Sequence, residues 1–223
     1  MFKHHCFPKS VILQAVYFKL RFTLSYRDVE ELMEIRGVKV DHATIQRWVF
    51  KFSPLIETEF RKRKKPVGNS WRMDETYIKV KGVWRYLYRA VDKEGNTIDF
   101  LLTKRRQRMS AQSFLIKAIK NNGKPTVINI DKSGSNSGAI RVYNKRALAT
   151  KSRIKIRKCK YLNNIVEQDH RFIKWRIQQG LGFKEFESAR RTLSGIEIVR
   201  MIKKNQLTCQ DQTMFKSFIS LAA

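Results

Sequence analysis

Three runs of apolar, aromatic and β-branched residues, separated by two tight breaks, most restrict what this chain can fold into. Trp71 to Val80 alternates in polarity, Val83 to Val91 is aromatic and β-branched, and Thr97 to Thr103 is apolar. Lys81-Gly82 and Lys93-Glu94-Gly95-Asn96 interrupt them. This pattern predicts a three-strand antiparallel meander. Such a sheet needs a covering layer and neighbours. Ser110 to Lys120 supplies a helix with Phe114, Leu115, Ala118 and Ile119 on its buried side. Thr126 to Asp131 reads as a short buried strand, followed by a Ser- and Gly-rich loop over 132–138. A weakly patterned stretch with room for one optional helix precedes a further short strand near Ile154 to Ile156, then come a long helix from about Asn163 to Gln179 and a last helix from about Lys184 to Asn205. The order describes an α/β fold, a mixed sheet with one antiparallel edge and flanking helices.

The first segment reads differently, as three helices. Val11, Ile12, Val16 and Leu20 share one helical face. Ser25 to Asp28 has capping-box spacing, with Asp in the place of the usual Glu or Gln, and opens a helix that turns Val29, Leu32 and Met33 inward. Gly37 marks its end. Asp41 can cap a third helix with Ile45, Trp48, Val49 and Phe52 at i, i+3, i+4 and i+7. Two helices joined by a Gly-containing turn fit either a helix-turn-helix or an ordinary helical bundle. In the first case the third helix enters a DNA groove and presents His42, Ala43, Thr44, Gln46 and Arg47. The basic run Arg61 to Lys65, with Pro66, Gly68, Asn69 and Ser70 after it, reads as a linker. The boundaries drawn in this way are 1–60 for an all-α helix-turn-helix domain, 61–70 for the linker, 71–205 for the α/β domain and 206–223 for a tail.

Charge narrows the choice of partner. The chain holds 47 Lys and Arg against 19 Asp and Glu, a net charge of +28 over 223 residues. A surplus of that size opposes compaction and calls for a polyanion, and nucleic acid is the first candidate. No apolar run approaches the length of a membrane span. Cys6, Cys159 and Cys209 are too scattered for a disulfide framework, so reduced thiols and a cytoplasmic setting are expected.

Against this basic background the acids stand out. Asp131 is the only acidic residue between Asp99 and Glu167, an interval with 17 Lys or Arg. A lone carboxylate at the end of a buried strand is either neutralised by a cation or kept for a metal. Asp74 lies inside the first strand and comes beside Asp131 if the first and fourth strands are parallel neighbours. Glu167, on the first turn of the long helix, can join them if that helix crosses the sheet. Grouped carboxylates suit Mg²⁺, and two ions so held support phosphodiester displacement. Asp92 and Glu94 read as solvated turn residues, Asp99 as a possible substitute ligand, and Glu75 as pointing away from Asp74. On the long helix, Glu167, His170, Arg171, Lys174 and Gln178 trace one polar face, read either as a catalytic face or as a solvated one.

The residues themselves resemble a family. Trp71 to Tyr77, then Lys79, Gly82, Trp84 and Tyr86 to Asp92, resemble the first catalytic block of the DDE transposases of bacterial insertion sequences, in their short single-frame, cointegrate-forming branch. Tyr161 to Arg171, with Lys174, resembles the block that holds the family's glutamate. Ser25 to Arg27, Gly37, Val40, His42, Thr44, Ile45 and Arg47 to Val49 are similar to its helix-turn-helix, and Leu181 to Phe183 and Gly195 to Glu197 to its C-terminal end. The stretch after Asp131 departs from the family's small or apolar, proline-containing sequence. The resemblance implies a ribonuclease-H-like core of the integrase type. Its catalytic and metal-binding residues would be Asp74, Asp131 and Glu167, with two Mg²⁺ ions for which Mn²⁺ can substitute. It implies contacts to double-stranded DNA through His42, Thr44, Gln46, Arg47, Arg171 and Lys174. The expected activity is cleavage at terminal inverted repeats, releasing a 3′-hydroxyl that attacks target DNA, by a homodimer or larger assembly at the nucleoid of a bacterial cytoplasm. The alternative expectation is an inactive or repurposed copy that only binds DNA.

Overall fold

The computed structural model describes residues 6–131, 134–145, 153–159, 161–179, 182–209 and 211–222. His4, His5, Lys132, Ser133 and Leu181 lie outside them. The chain divides into two compact units, one formed by Met1–Lys65 with Trp175–Ala223 and the other by Pro66–Lys174.

The first unit is helical. Helix α1 (Lys9–Arg21) buries Ile12, Leu13, Val16 and Leu20. Helix α2 (Tyr26–Ile35) starts at the expected capping box, in which Ser25 Oγ accepts from the Asp28 amide and the Asp28 carboxylate accepts from the Ser25 amide. Gly37 follows with φ at 76°, a conformation open to glycine and costly for most other residues. Helix α3 (His42–Lys62) is capped by Asp41, which accepts from the Ala43 and Thr44 amides. It buries Ile45, Trp48, Val49 and Phe52 and runs on through Pro54 to bury Ile56 and Phe60.

The second unit holds a five-stranded sheet in the order β3-β2-β1-β4-β5. Its strands are β1 (Ser70–Val80), β2 (Val83–Val91), β3 (Thr97–Thr103), β4 (Val127–Ile130) and β5 (Lys155–Lys158). β1, β2 and β3 form the antiparallel meander, while β4 pairs parallel with β1 and β5 parallel with β4. Helix α4 (Arg108–Asn122) and helix α5 (Gly134–Lys145) bury Phe114, Leu115, Ala139 and Ile140 in one cluster with Trp71, Met73, Tyr88, Ile128 and Ile130. The helical turn Tyr161–Asn163 leads into α6 (Asn164–Gln179). This is the mixed α/β sheet with flanking helices expected of a ribonuclease-H-like core.

Several boundaries move. The stretch read as a flexible loop becomes helix from Gly134, because Asn136, Ala139 and Ile140 fall at one-turn spacing and are all buried. Helix α7 (Phe186–Lys203), placed by sequence in the α/β domain, packs on α1 and α3. Gly195 explains how: a Cβ there would lie 2.6 Å from the Leu20 Cδ atoms and 2.8 Å from Ser53 Oγ, so only a bare Cα permits that approach. The basic run is no plain linker. Its first two residues end α3, Lys64 bridges to Leu207, and the Lys65 amide donates to Gln206 O. The tail contains helix α8 (Met214–Ser220), which buries Phe218.

Candidate active site

Strand β1 separates two chemistries by the alternation of its side chains. Trp71 and Met73 enter the apolar cluster under α4 and α5, whereas Arg72, Asp74 and Thr76 point to the other face. The β1–β4 register pairs Trp71 with Ile128 and Arg72 with Asn129. The same offset carried two residues further sets Asp131, just past the end of β4, beside Asp74. The expected parallel neighbourhood of these two acids is therefore present, on one face of the sheet.

Helix α6 lies across that face, and four polar contacts hold it and the segment leading into it. Asn129 Nδ2 donates to Asn163 Oδ1 at 2.7 Å and to Cys159 O at 2.9 Å. Arg89, which stands directly opposite Asp74 on β2, donates to Asp169 Oδ2 at 2.6 Å with both side chains buried. His170 Nε2 lies 3.3 Å from Asp74 Oδ2. Burial pushes the His170 imidazole below its usual pKa, against the opposing pull of Asp74, so at neutral pH the ring beside Asp74 is uncharged. Val166 and Ile173 fill the rest of the covered stripe.

His170 thus leaves the polar face to which the sequence assigned it. Val166, Asp169, His170 and Ile173 repeat at i, i+3, i+4 and i+7 and face the sheet, while Glu167, Arg171, Lys174 and Gln178 are exposed. The contacts of Arg89, Asn129, Asn163 and Asp169 escaped the sequence reading. The spacing of Asp169 within the stripe of Val166, His170 and Ile173 was the available signal for one of them.

The other acids separate cleanly. Asp92 is buried rather than solvated, and its carboxylate accepts from the amides of Gly68, Glu94 and Asn96 and from Asn96 Nδ2. Asp99 is buried, accepts from Asn121 Nδ2 at 2.8 Å and lies 3.4 Å from Lys117 Nζ. It ties β3 to α4 and is no substitute ligand. Glu75 faces away from Asp74 as expected; it accepts from Asn136 Nδ2 at 2.8 Å and pairs with Arg106. Desolvation raises its pKa, opposed by those two donors.

Carboxylate oxygens are the donor type that Mg²⁺ requires, and Asp74 and Asp131 share a face with Glu167's helix across it. Among the described residues, however, no three His, Cys, Asp or Glu side chains are gathered closely enough to form a metal cluster. Glu167 is the exposed member of the set.

In the helical unit, Asp41 also takes the Thr44 hydroxyl at 2.6 Å, and His42 Nδ1 meets Glu30 Oε2 at 2.8 Å. His42, Gln46 and Arg47 are the exposed residues at the start of α3. Among the described residues no helix is long and apolar enough to cross a membrane.

Residues 68–206 match the family described as a DDE domain. Over 210 residues the chain is 43% identical to the transposase for the insertion sequence-like element IS431mec of Staphylococcus aureus (strain Mu50), covering 94% of this chain and 92% of that protein. It is 42% identical over the same length to the transposase for insertion sequence element IS257 in transposon Tn4003 of Staphylococcus aureus, with the same coverage. Among solved structures it is similar to a chain of a simian T-cell lymphotropic virus intasome bound to PP2A regulatory subunit B56 gamma, with a TM-score of 0.44 and 19% identity over 70% of this chain and 56% of that one. It is also similar to the HTLV-2 integrase catalytic core domain in complex with magnesium, with a TM-score of 0.39 and 21% identity over 52% and 74% of the two chains. The chain belongs to the DDE transposases of bacterial insertion sequences, a family of polynucleotidyl transferases.

Proposed function

We propose that this transposase binds terminal inverted repeats as a dimer or larger assembly, cuts DNA there and joins the released 3′-hydroxyl to target DNA. The observation that carries the reading is the parallel β1–β4 register, which aligns Asp74 with Asp131 on the face crossed by Glu167's helix. Asp74 and Asp131 would hold divalent metal from the sheet, with Glu167, exposed on the helix that crosses it, as the third carboxylate. Bound Mg²⁺ or Mn²⁺ would supply Lewis acidity to the attacking and leaving oxygens. The chain's own part is positional. Asn129, Arg89 and His170 hold α6 in place, and the neutral His170 sits beside Asp74 without adding a second full charge. Arg171 and Lys174, exposed on α6, meet DNA phosphate. In the helical unit, Gln46 and Arg47 read base edges, with His42 and Thr44 beside them. Domain roles follow: α2 and α3 recognise DNA, and Pro66–Lys174 performs the chemistry.

The test is nicking of a duplex that carries the element's terminal repeats. Asp74→Asn, Asp131→Asn and Glu167→Gln are each expected to abolish Mg²⁺-dependent cleavage while repeat binding persists. An unmutated chain that binds repeats yet cuts in neither Mg²⁺ nor Mn²⁺ defeats the catalytic reading and leaves a DNA-binding protein. Arg47→Ala is expected to weaken repeat binding more than binding to random duplex, and equal losses reduce it to a phosphate contact.

A further inference from the structure

The cover over one face of the β1–β2 hairpin ends beyond Glu75. Ile78 and Val80, on one side of β1, are each 2% exposed. On the other side Tyr77 is 42% exposed, and Trp84 on β2 is 56% exposed. Register places Tyr86 opposite Tyr77 and Trp84 opposite Lys79, so all four side chains share that outer face. The rings form a ridge. Tyr77 and Trp84 centroids are 6.4 Å apart, Tyr77 and Tyr86 centroids 5.4 Å apart, and Lys79 Nζ lies 5.8 Å from the indole ring. Arg106 Nη1 donates to Tyr77 Oη at 3.3 Å. Arg106 also lines an open cleft of about 800 Å³ with Arg108, Met109, Gly134 and Ser135. Gly138 leaves room for the Arg108 side chain beside α5, since a Cβ there would lie 3.1 Å from Arg108 Cδ. Gly134 follows Asp131 by three residues.

Large aromatic rings held in water forgo burial that a neighbouring element would supply, so a contiguous set of them marks a contact surface. Charge identifies the occupant. No acid occurs from Thr76 to Tyr86 or from Thr103 to Met109, whereas Lys79, Lys81, Arg85, Arg105, Arg106 and Arg108 do. A second copy docked on this ridge would bring the same cations against themselves. Exposed rings interleaved with cations fit single-stranded nucleic acid, whose bases offer free faces for stacking while its phosphates meet the cations. An intact duplex keeps those faces inside its own stack.

We propose that the outer face of the β1–β2 hairpin binds unpaired DNA, with bases stacked on Trp84 and Tyr77 and phosphates held by Lys79 and Arg108, while Arg106, paired with Glu75, steadies the Tyr77 ring. The choice of DNA over RNA rests on the proposed transposase reading; the stacking chemistry does not. The test uses the full chain and an oligo(dT) of about 12 nucleotides. In a Trp175→Phe background, which removes the other exposed indole, oligo(dT) is expected to quench the remaining tryptophan emission. Trp84→Leu is expected to weaken oligo(dT) binding roughly 5- to 100-fold with an unchanged salt slope. Blunt duplex affinity is expected to change less than about 2-fold, and Trp84→Phe to restore much of the oligo(dT) affinity. Lys79→Ala is expected to lower the salt slope by about one. Equal losses on oligo(dT) and blunt duplex, or no loss on either, overturn the proposal. So does a Trp84→Leu chain that keeps its oligo(dT) affinity but loses self-association in sedimentation, or loses binding to phosphatidylserine vesicles. A chain that stacks oligo(dT) but never nicks repeat DNA keeps this surface and loses the catalytic reading.

Discussion

The helix ends of the helical unit and the sheet face of the α/β unit are both built from hydrogen-bonded polar groups, but over very different sequence distances. Ser25 meets Asp28, Asp41 meets Ala43 and Thr44, Glu185 meets Glu187 and Ser188, and Thr213 meets Lys216. Each pair is two or three residues apart, and each satisfies amides that the first helical turn leaves without a partner. Around the sheet, Arg89 meets Asp169 and Asn129 meets Asn163 on one face and Glu75 meets Asn136 on the other, across 80, 34 and 61 positions. A cap can be lost and its amides still find water. A buried guanidinium that loses its carboxylate cannot, because charge in a low-dielectric interior depends on its partner. The first kind of contact adjusts stability, and the second determines whether α6 lies where the site needs it.

Breaking the Arg89–Asp169 pair is the severest trial of this contrast. Asp169→Leu is expected to cost the α/β unit about 3–5 kcal/mol, read from urea unfolding, by removing the buried carboxylate that faces Arg89. The double change Arg89→Met with Asp169→Leu is expected to recover most of that stability while metal-dependent nicking stays low; full recovery of nicking would show that the pair has no part in placing α6. In the helical unit the largest effect is expected where packing is tightest. Gly195→Ala pushes a methyl into Leu20 and Ser53 and is expected to cost about 1–3 kcal/mol. Capping changes are smaller: Ser25→Ala is expected to cost about 1 kcal/mol, and Asp41→Ala to lower the urea midpoint by less than Gly195→Ala does. A loss above about 3 kcal/mol for Ser25→Ala would erase the distinction between local and distant contacts.

The smallest effect is a pH dependence. Burial, with Arg176 nearby, lowers the Lys19 ammonium to about 8 from its usual 10.5. The unfolded chain therefore binds this proton more tightly than the folded one between those values, and stability rises with pH across that window. Lys19 keeps some contact with solvent, so screening holds the rise below what the full shift would give. Urea midpoints of the unmutated chain at pH 7.5 and 9.5 should differ by more than those of Lys19→Met. Equal differences would remove Lys19 as the cause.

The same division of distances governs what the sequence disclosed. The meander, the buried strand ending at Asp131 and the three N-terminal helices follow from periodicity and local punctuation, which require knowledge of only a few neighbours. The pairing of Asp74 with Asp131 followed from topology once β1 and β4 were taken as parallel. His170 was misassigned because helical spacing gives a face but not which way that face points. Asp92 looked like a solvated turn acid, since nothing local reveals that the amides of Gly68 and Asn96 converge on it. The first turn of helix α5 reads as loop because Gly134, Ser135, Ser137 and Gly138 have low helical propensity; burial of Asn136, Ala139 and Ile140 overrides it. Placement of α7 with α1 and α3 depended on one missing Cβ at Gly195, a signal that means nothing until its neighbours are known.

That the helical unit draws on both ends of the chain, with Pro66–Lys174 between them, has a consequence for the order in which the molecule matures. During synthesis α1, α2 and α3 emerge first but wait for α7 before the surface around Leu20 and Ser53 can close. The α/β unit is one continuous segment and can complete its contacts while the last helices are still being made. The helices proposed to read DNA therefore become native after the unit proposed to cut it, the reverse of their order along the gene. A nascent chain halted before Phe186 would carry a finished sheet and an unsealed helical unit.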